Sequence, residues 1–269
     1  MTIRRARDVA PLLLALLFGL TLGLPAQSVE DHLCKGDELS ARFDDAGALA
    51  EYESVLALDP AHFEGLWKAA RARMILGDRI TYEQADREER RQAQYEAGRA
   101  LIRRALAVRP DDAYALYLNA ALLGRLADYK SRAQQVALAR TIKAELDKVL
   151  ELDPKNDMAW HAWAYWHLTL AQIGGAVRFL GSVIYGRLPK GSYDEAVRGF
   201  QTAVSLNPDY GNHRIQLART YAAMKKPDLA EAELRAAIAC PDQTSLCAYY
   251  RDWARHILAR LESGRLDPP

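Results

Sequence analysis

VLALDP at 55–60, ALAVRP at 105–110, VLELDP at 149–154, AVSLNP at 203–208 and a shortened AIACP at 237–241 are five versions of one phrase. Each reads as the last turn of a helix, ended by a proline that lacks an N–H and whose ring clashes with the preceding turn. Working back from these prolines, apolar and small residues recur at spacings of three and four. They are Ala48, Tyr52 and Val55, then Tyr95, Gly98, Ile102 and Ala105, then Tyr193, Ala196, Phe200 and Ala203. Such spacing places them on one helix stripe. A second apolar helix follows each proline, over 63–76, 113–127, 158–173 and 213–224. No stretch alternates with period two, so no strand is expected. The reading is all-α: a solenoid of antiparallel helix pairs, about five units, spanning 27–263.

The pattern resembles the tetratricopeptide repeat. Leu217, Ala218, Tyr221, Ala230, Leu234 and Ala237 fall on that motif's packing positions, and Trp160, Trp163, Ala164, Ala196, Phe200, Ala203 and Pro208 supply a second unit. The period departs from that family's regular one, and three units carry insertions, at 77–94, 128–138 and 173–192. With those insertions, LWKAARA (66–72), YEAGRALIRRALAVRPDD (95–112) and LPKGSYDEAVRGFQTAVSLNP (188–208) resemble the regulator of microtubule dynamics family over residues 60–240. The resemblance implies a tetratricopeptide-like helical domain. The family name also implies a microtubule role, which the N-terminus argues against.

Residues 1–26 differ from the rest of the chain. Arg4, Arg5 and Arg7 precede an apolar run at 11–24 and a small residue, Ala26. Basic head, short apolar centre and small exit residue describe a signal peptide, and the run falls short of the ~20 residues that span a bilayer. The reading predicts an exported, periplasmic protein, with secretion or retention by an uncleaved signal as alternatives. Export permits disulfides. Cys240 and Cys247 bracket the connection 241–246, where they either form a staple or remain two separate thiols, and Cys34 is expected to be buried. The 242–262 stretch reads as a final amphipathic helix that covers the stack end, and 264–269 as a frayed tail.

In tetratricopeptide arrays the first helix of each pair lines a concave groove. Counting from the prolines assigns to that groove Trp67 and Arg71, then Tyr114, Tyr117 and Arg125, then His161 and Tyr165, then Asn212 and Arg219. Rings with an apolar body and polar edge, together with Arg forks, suit an extended peptide or a mixed-polarity ligand. The Lys and Asn pairs with which some such domains clamp a terminal carboxylate are missing. His161 and His167, six residues apart, lie about 240° apart round a helix and so do not share a face as metal ligands. Trp160, Trp163 and His167 line up as core.

The 36 basic and 35 acidic residues balance to +1, which gives no electrostatic reason to expect nucleic acid. Phosphate-loop, zinc-protease and serine-nucleophile motifs are absent, so neither catalysis nor a cofactor is expected. The function predicted is a scaffold that holds a protein or peptide partner in the groove. The alternative is a carrier of an apolar, lipid-like ligand enclosed between the groove and the glycine-rich stretch 171–191, which also suits contact with a membrane surface.

Overall fold

A computed structural model describes residues 27–80, 85–186 and 188–263. The segment read as a signal peptide (1–26) and the tail (264–269) lie outside the described residues. Among those described there are helices and no strand. Five pairs follow in order: α1 (Val29–Ala41) with α2 (Asp45–Leu58), α3 (Phe63–Asp78) with α4 (Arg87–Val108), α5 (Ala113–Ala127) with α6 (Arg132–Leu152), α7 (Asp157–Ala171) with α9 (Tyr193–Leu206), and α10 (Gly211–Ala223) with α11 (Pro227–Ala239). A single helix, α12 (Cys247–Glu262), ends the stack, and α8 (Gly175–Tyr185) sits inside the fourth pair.

The repeated phrase builds the same connection four times. A residue before proline is pushed out of the helical region, and Asp59, Arg109, Asp153 and Asn207 take φ values of −131°, −134°, −137° and −139°. The cap of the next helix lies two residues beyond the proline, and the helix itself starts at the third. In three cases its cap is side-chain bonded: His62, Asp112 and Asn156 accept the backbone N–H of Gly65, Ala115 and Ala159 at 3.1, 2.9 and 2.9 Å. Each such cap is worth about 1 kcal/mol. The phrase therefore stops one helix and aims the next.

Pairs stack through their second helices, α2 on α3, α4 on α5, α6 on α7, α9 on α10 and α11 on α12. The stripe counted back from the prolines is the seam: Val55, Ala105, Val149, Ala203 and Ala237 are all buried, as are Tyr52, Tyr95 and Phe200. In the first two pairs the seam carries a repeated polar lock. A Gly–Asp step on the first helix receives a tyrosine from the second. A Cβ on Gly36 or Gly77 would come within 2.5 Å of the Tyr52 or Tyr95 ring, so only glycine admits the ring there. The phenols donate to Asp37 and Asp78, each at 2.8 Å. A cation from a later helix closes each lock, Lys68 on Asp37 at 2.7 Å and Arg125 on Asp78 at 2.6 Å.

The three insertions have different outcomes. The first two lengthen second helices, so that α4 and α6 extend beyond their partners. Only the third forms an element of its own, α8. At the far end, α12 starts at Cys247, five residues later than the sequence suggests. The loop before it reaches the other end of the stack, where Ser245 Oγ donates to Asp45 Oδ2 at 2.5 Å and Arg79 bonds the same carboxylate at 3.3 Å.

The cysteine expectations require correction. All three thiols are free. The Cys247 sulfur accepts the backbone N–H groups of Gln243 and Thr244, each at 3.3 Å, while Cys240 Sγ lies 3.4 Å from the Ala236 carbonyl. The turn is thus closed by N–H···S bonds, and no Cys240–Cys247 staple is present. Cys34 is exposed, not buried, because α1 is the outermost helix and has a partner on one side only.

Candidate partner-binding face

The first helices α3, α5, α7 and α10, continued by α12, touch one another in turn, and a series of rings follows them. Trp67 of α3 meets Tyr114 of α5 edge-on at 5.0 Å between ring centroids, and Tyr114 meets Tyr117 at 5.7 Å. From α7, His161 meets His213 of α10 at 5.0 Å, His213 meets Tyr210 at 4.7 Å, and Tyr210 meets Tyr250 of α12 at 6.1 Å. Tyr249 stacks on Trp253, over which the Arg219 guanidinium sits at 5.2 Å.

The middle of this series is deep. Burial and the neighbouring Tyr114 ring push the Tyr117 phenol far above its ordinary range. Burial holds His161 well below the usual imidazole value, reinforced by the nearby His213 and Arg125. Tyr250 is raised by burial and by Asp78, with Arg125 and Tyr117 also in range. Residues of α5, α7 and α12 therefore face one interior. Even so, Arg125 keeps 32% of its side-chain surface accessible, so it is not sealed in the core.

Two polar anchors fix the rim of that interior. Arg125 forks onto Asp78 through Nε at 2.8 Å and Nη2 at 2.6 Å, which neutralises its charge. His161 Nδ1 lies 2.9 Å from His213 Nδ1, and His213 Nε2 lies 3.0 Å from Asp157 Oδ2, which also accepts Asn207 at 3.0 Å. With its carboxylate neighbour, the fully buried His213 is the natural proton donor to Asp157. Burial still draws its pKa down.

The nine residues assigned from sequence divide into two sets. Trp67, Tyr114, Tyr117 and His161 belong to the ring series, and Arg125 lies near it. Arg71 is turned to Ser40, bonded at 2.9 Å and lying over the Trp67 ring, and Asn212 is buried beside Gln216. Arg219, over the Trp253 ring at the far end of the series, bonds Gln216 at 2.8 Å, whereas Tyr165 is exposed on α7. Counting from the prolines missed Tyr210, His213 and Tyr250. Tyr210 is the cap just before the counted helix, and Tyr250 belongs to a helix read only as an end cover. The tryptophan-rich helix behaves as expected of core: Trp160 meets Trp163 at 5.7 Å and Trp163 meets His167 at 4.1 Å. Both ring nitrogens of His167 are buried without a hydrogen-bond partner.

The model of the family described as regulator of microtubule dynamics protein 1-3 matches residues 31–262. The chain belongs to that family. Regulator of microtubule dynamics protein 1 of Mus musculus is 29% identical over 168 residues, covering 62% of this chain and 54% of its own length. The Caenorhabditis elegans protein of the same name is 27% identical over 173 residues, covering 64% of this chain and 76% of its own. The chain spans about half the length of the mammalian relatives it matches. Among solved structures, a thermophilic tetratricopeptide protein of Thermus thermophilus superposes with a TM-score of 0.59 at 16% identity, covering 85% of this chain and all of the other. That likeness supports the repeat fold.

These relatives overturn the expected location. They are animal proteins, and animal cells have no periplasm. An apolar run at 11–24 resembles an export signal in composition alone, and composition does not distinguish that use from others. The objection to a microtubule role rested on export and falls with it.

Proposed function

We propose that this family member is a scaffold that holds a segment of another protein along the face formed by α3, α5, α7, α10 and α12. The observation that supports it is the ring series from Trp67 to Trp253, supplied in turn by α3, α5, α7, α10 and α12 and left partly accessible at Arg125. Such a surface recognises without chemistry, through a few aromatic anchors that contribute most of the affinity. Because Asp78 neutralises Arg125, the face favours a mixed-polarity segment over a lone terminal carboxylate. The relatives' names connect them with microtubule dynamics, and a protein partner is consistent with that. An apolar ligand enclosed under residues 171–191 finds no such support, since the apolar side chains of α8 face solvent.

The test is to select peptides from a random library on the full-length chain and measure their affinity by fluorescence anisotropy. Replacing Trp67 and Tyr114 together by Ala is expected to weaken binding at least tenfold with the helical circular dichroism unchanged, while Phe179→Ala leaves affinity unaltered. Equal affinity for all three proteins refutes the assignment.

A further inference from the structure

Helix α8 is built inside out. With 100° per residue, Arg178 and Ser182 share one side, and Phe179, Val183, Leu180, Ile184 and Val177 sweep the opposite arc. The polar side is the one that faces the protein. Arg178 donates to the Pro189 carbonyl at 2.6 Å and to the Leu170 carbonyl. The Leu188 N–H donates to Ser182 Oγ at 3.4 Å, and Leu188 packs over Gly181. The apolar side faces outward: Phe179 is 69% exposed, Val183 71% and Ile184 68%. No other helix packs substantially against α8, and it leaves α7 at a bend of 98°. Val177, Phe179, Leu180, Val183 and Ile184 are each more than 60% exposed on one arc, a contiguous apolar patch of the kind that marks an interaction site.

We propose that α8 is a docking helix for an anionic lipid bilayer, lying in the interface with its apolar arc among the acyl chains. Its length excludes spanning: 11 residues reach about 16 Å, against a hydrocarbon core of ~30 Å. An interfacial helix needs to sink only about 5–10 Å, which side chains projecting from a tethered helix achieve without unfolding anything. Charge identifies the occupant. From 171 to 191 the chain has three basic residues, Arg178, Arg187 and Lys190, and no acidic one, in a protein that is otherwise balanced. Arg178 is committed inward, so Arg187 and Lys190, which follow the helix in sequence with no acidic residue near them, carry the excess that complements anionic headgroups. A second copy of the chain is disfavoured by the same charges, since a two-fold contact sets this patch against itself. The proposal is independent of the ring-lined face, which α8 does not enter.

The test uses the full-length chain with Leu13→Glu and Leu17→Glu, which break the apolar run 11–24 without adding basic charge beside Arg4, Arg5 and Arg7. Co-sedimentation is measured with vesicles of phosphatidylcholine containing phosphatidylserine, and with phosphatidylcholine alone. The expected result is partition onto the anionic vesicles that falls at least tenfold on phosphatidylcholine alone. Adding Phe179→Asp and Val183→Asp is also expected to lower it at least tenfold, with circular dichroism unchanged because both side chains are exposed. Three results would overturn the proposal: no binding by the parent, binding insensitive to the two Asp substitutions, or equal binding to neutral vesicles. Concentration-dependent dimers in light scattering that the Asp substitutions abolish, with no vesicle binding, would assign the patch to a second copy instead.

Discussion

Phe200 in α9 and Phe179 in α8 are the same side chain in neighbouring helices of one repeat pair, yet one is fully buried and the other 69% exposed. The difference lies in what each helix is offered. α9 lies between α7 and α10, so every turn of its stripe finds a partner. α8 has only its polar edge tied down, by Arg178 and by Ser182. A helix does not bury its apolar face because that face is apolar; it needs a second surface of matching shape.

The comparison is broken most severely at Phe200. Phe200→Ala leaves a cavity against Ala164, Ala196 and the α10 core and is expected to cost about 4 kcal/mol, read from the midpoint of urea unfolding.

Acid is the next largest effect and also strikes only the packed region. Burial lowers His167 to about 4, with Lys143 and Arg198 opposing its protonation and Glu195 and Asp147 favouring it. In the unfolded chain the imidazole takes its proton near ~6.5. Between those values the unfolded state binds more protons, so stability is complete above about pH 6.5 and falls as the pH drops towards 4. The loss attributable to His167 is about 2–3 kcal/mol, and His167→Leu is expected to flatten that part of a pH–stability curve. His161 and His213, also held low by burial, steepen it in the same direction. α8 carries no histidine, and its substitution is expected to leave the curve unchanged. Smallest of all is Phe179→Ala, which should move stability by no more than about 0.5 kcal/mol. A larger effect would mean that α8 has a packing partner within the chain.

The seam was legible because it is periodic. A proline at the end of each second helix sets the register, and Val55, Ala105, Val149, Ala203 and Ala237 follow from counting. What each residue of the opposite face would touch was less legible. Tyr114, Tyr117 and His161 came out of the same count, but Tyr210 and Tyr250, which continue the series beyond His213, depend on how a cap and the last helix turn in space. Proximity in sequence allows a Cys240–Cys247 bond, whereas the structure satisfies the Cys247 sulfur with two backbone N–H groups. The fate of α8 follows from composition only in hindsight: an apolar stretch with glycines is equally a buried helix, until its one arginine is seen reaching inward.

The contact between Ser245 and Asp45 has a consequence for how the molecule comes apart. In an open array each repeat touches only its neighbours, and melting begins at a free end and travels inward. Here the last loop also bonds the second helix, so opening either end is expected to cost that contact as well. Asp45, 4% exposed and bonded also to Arg79, ties the first pair to the last. The row of units thereby gains a cross-link, and the amides of the first pair and the last loop are expected to lose part of their protection together when Asp45→Ala removes it.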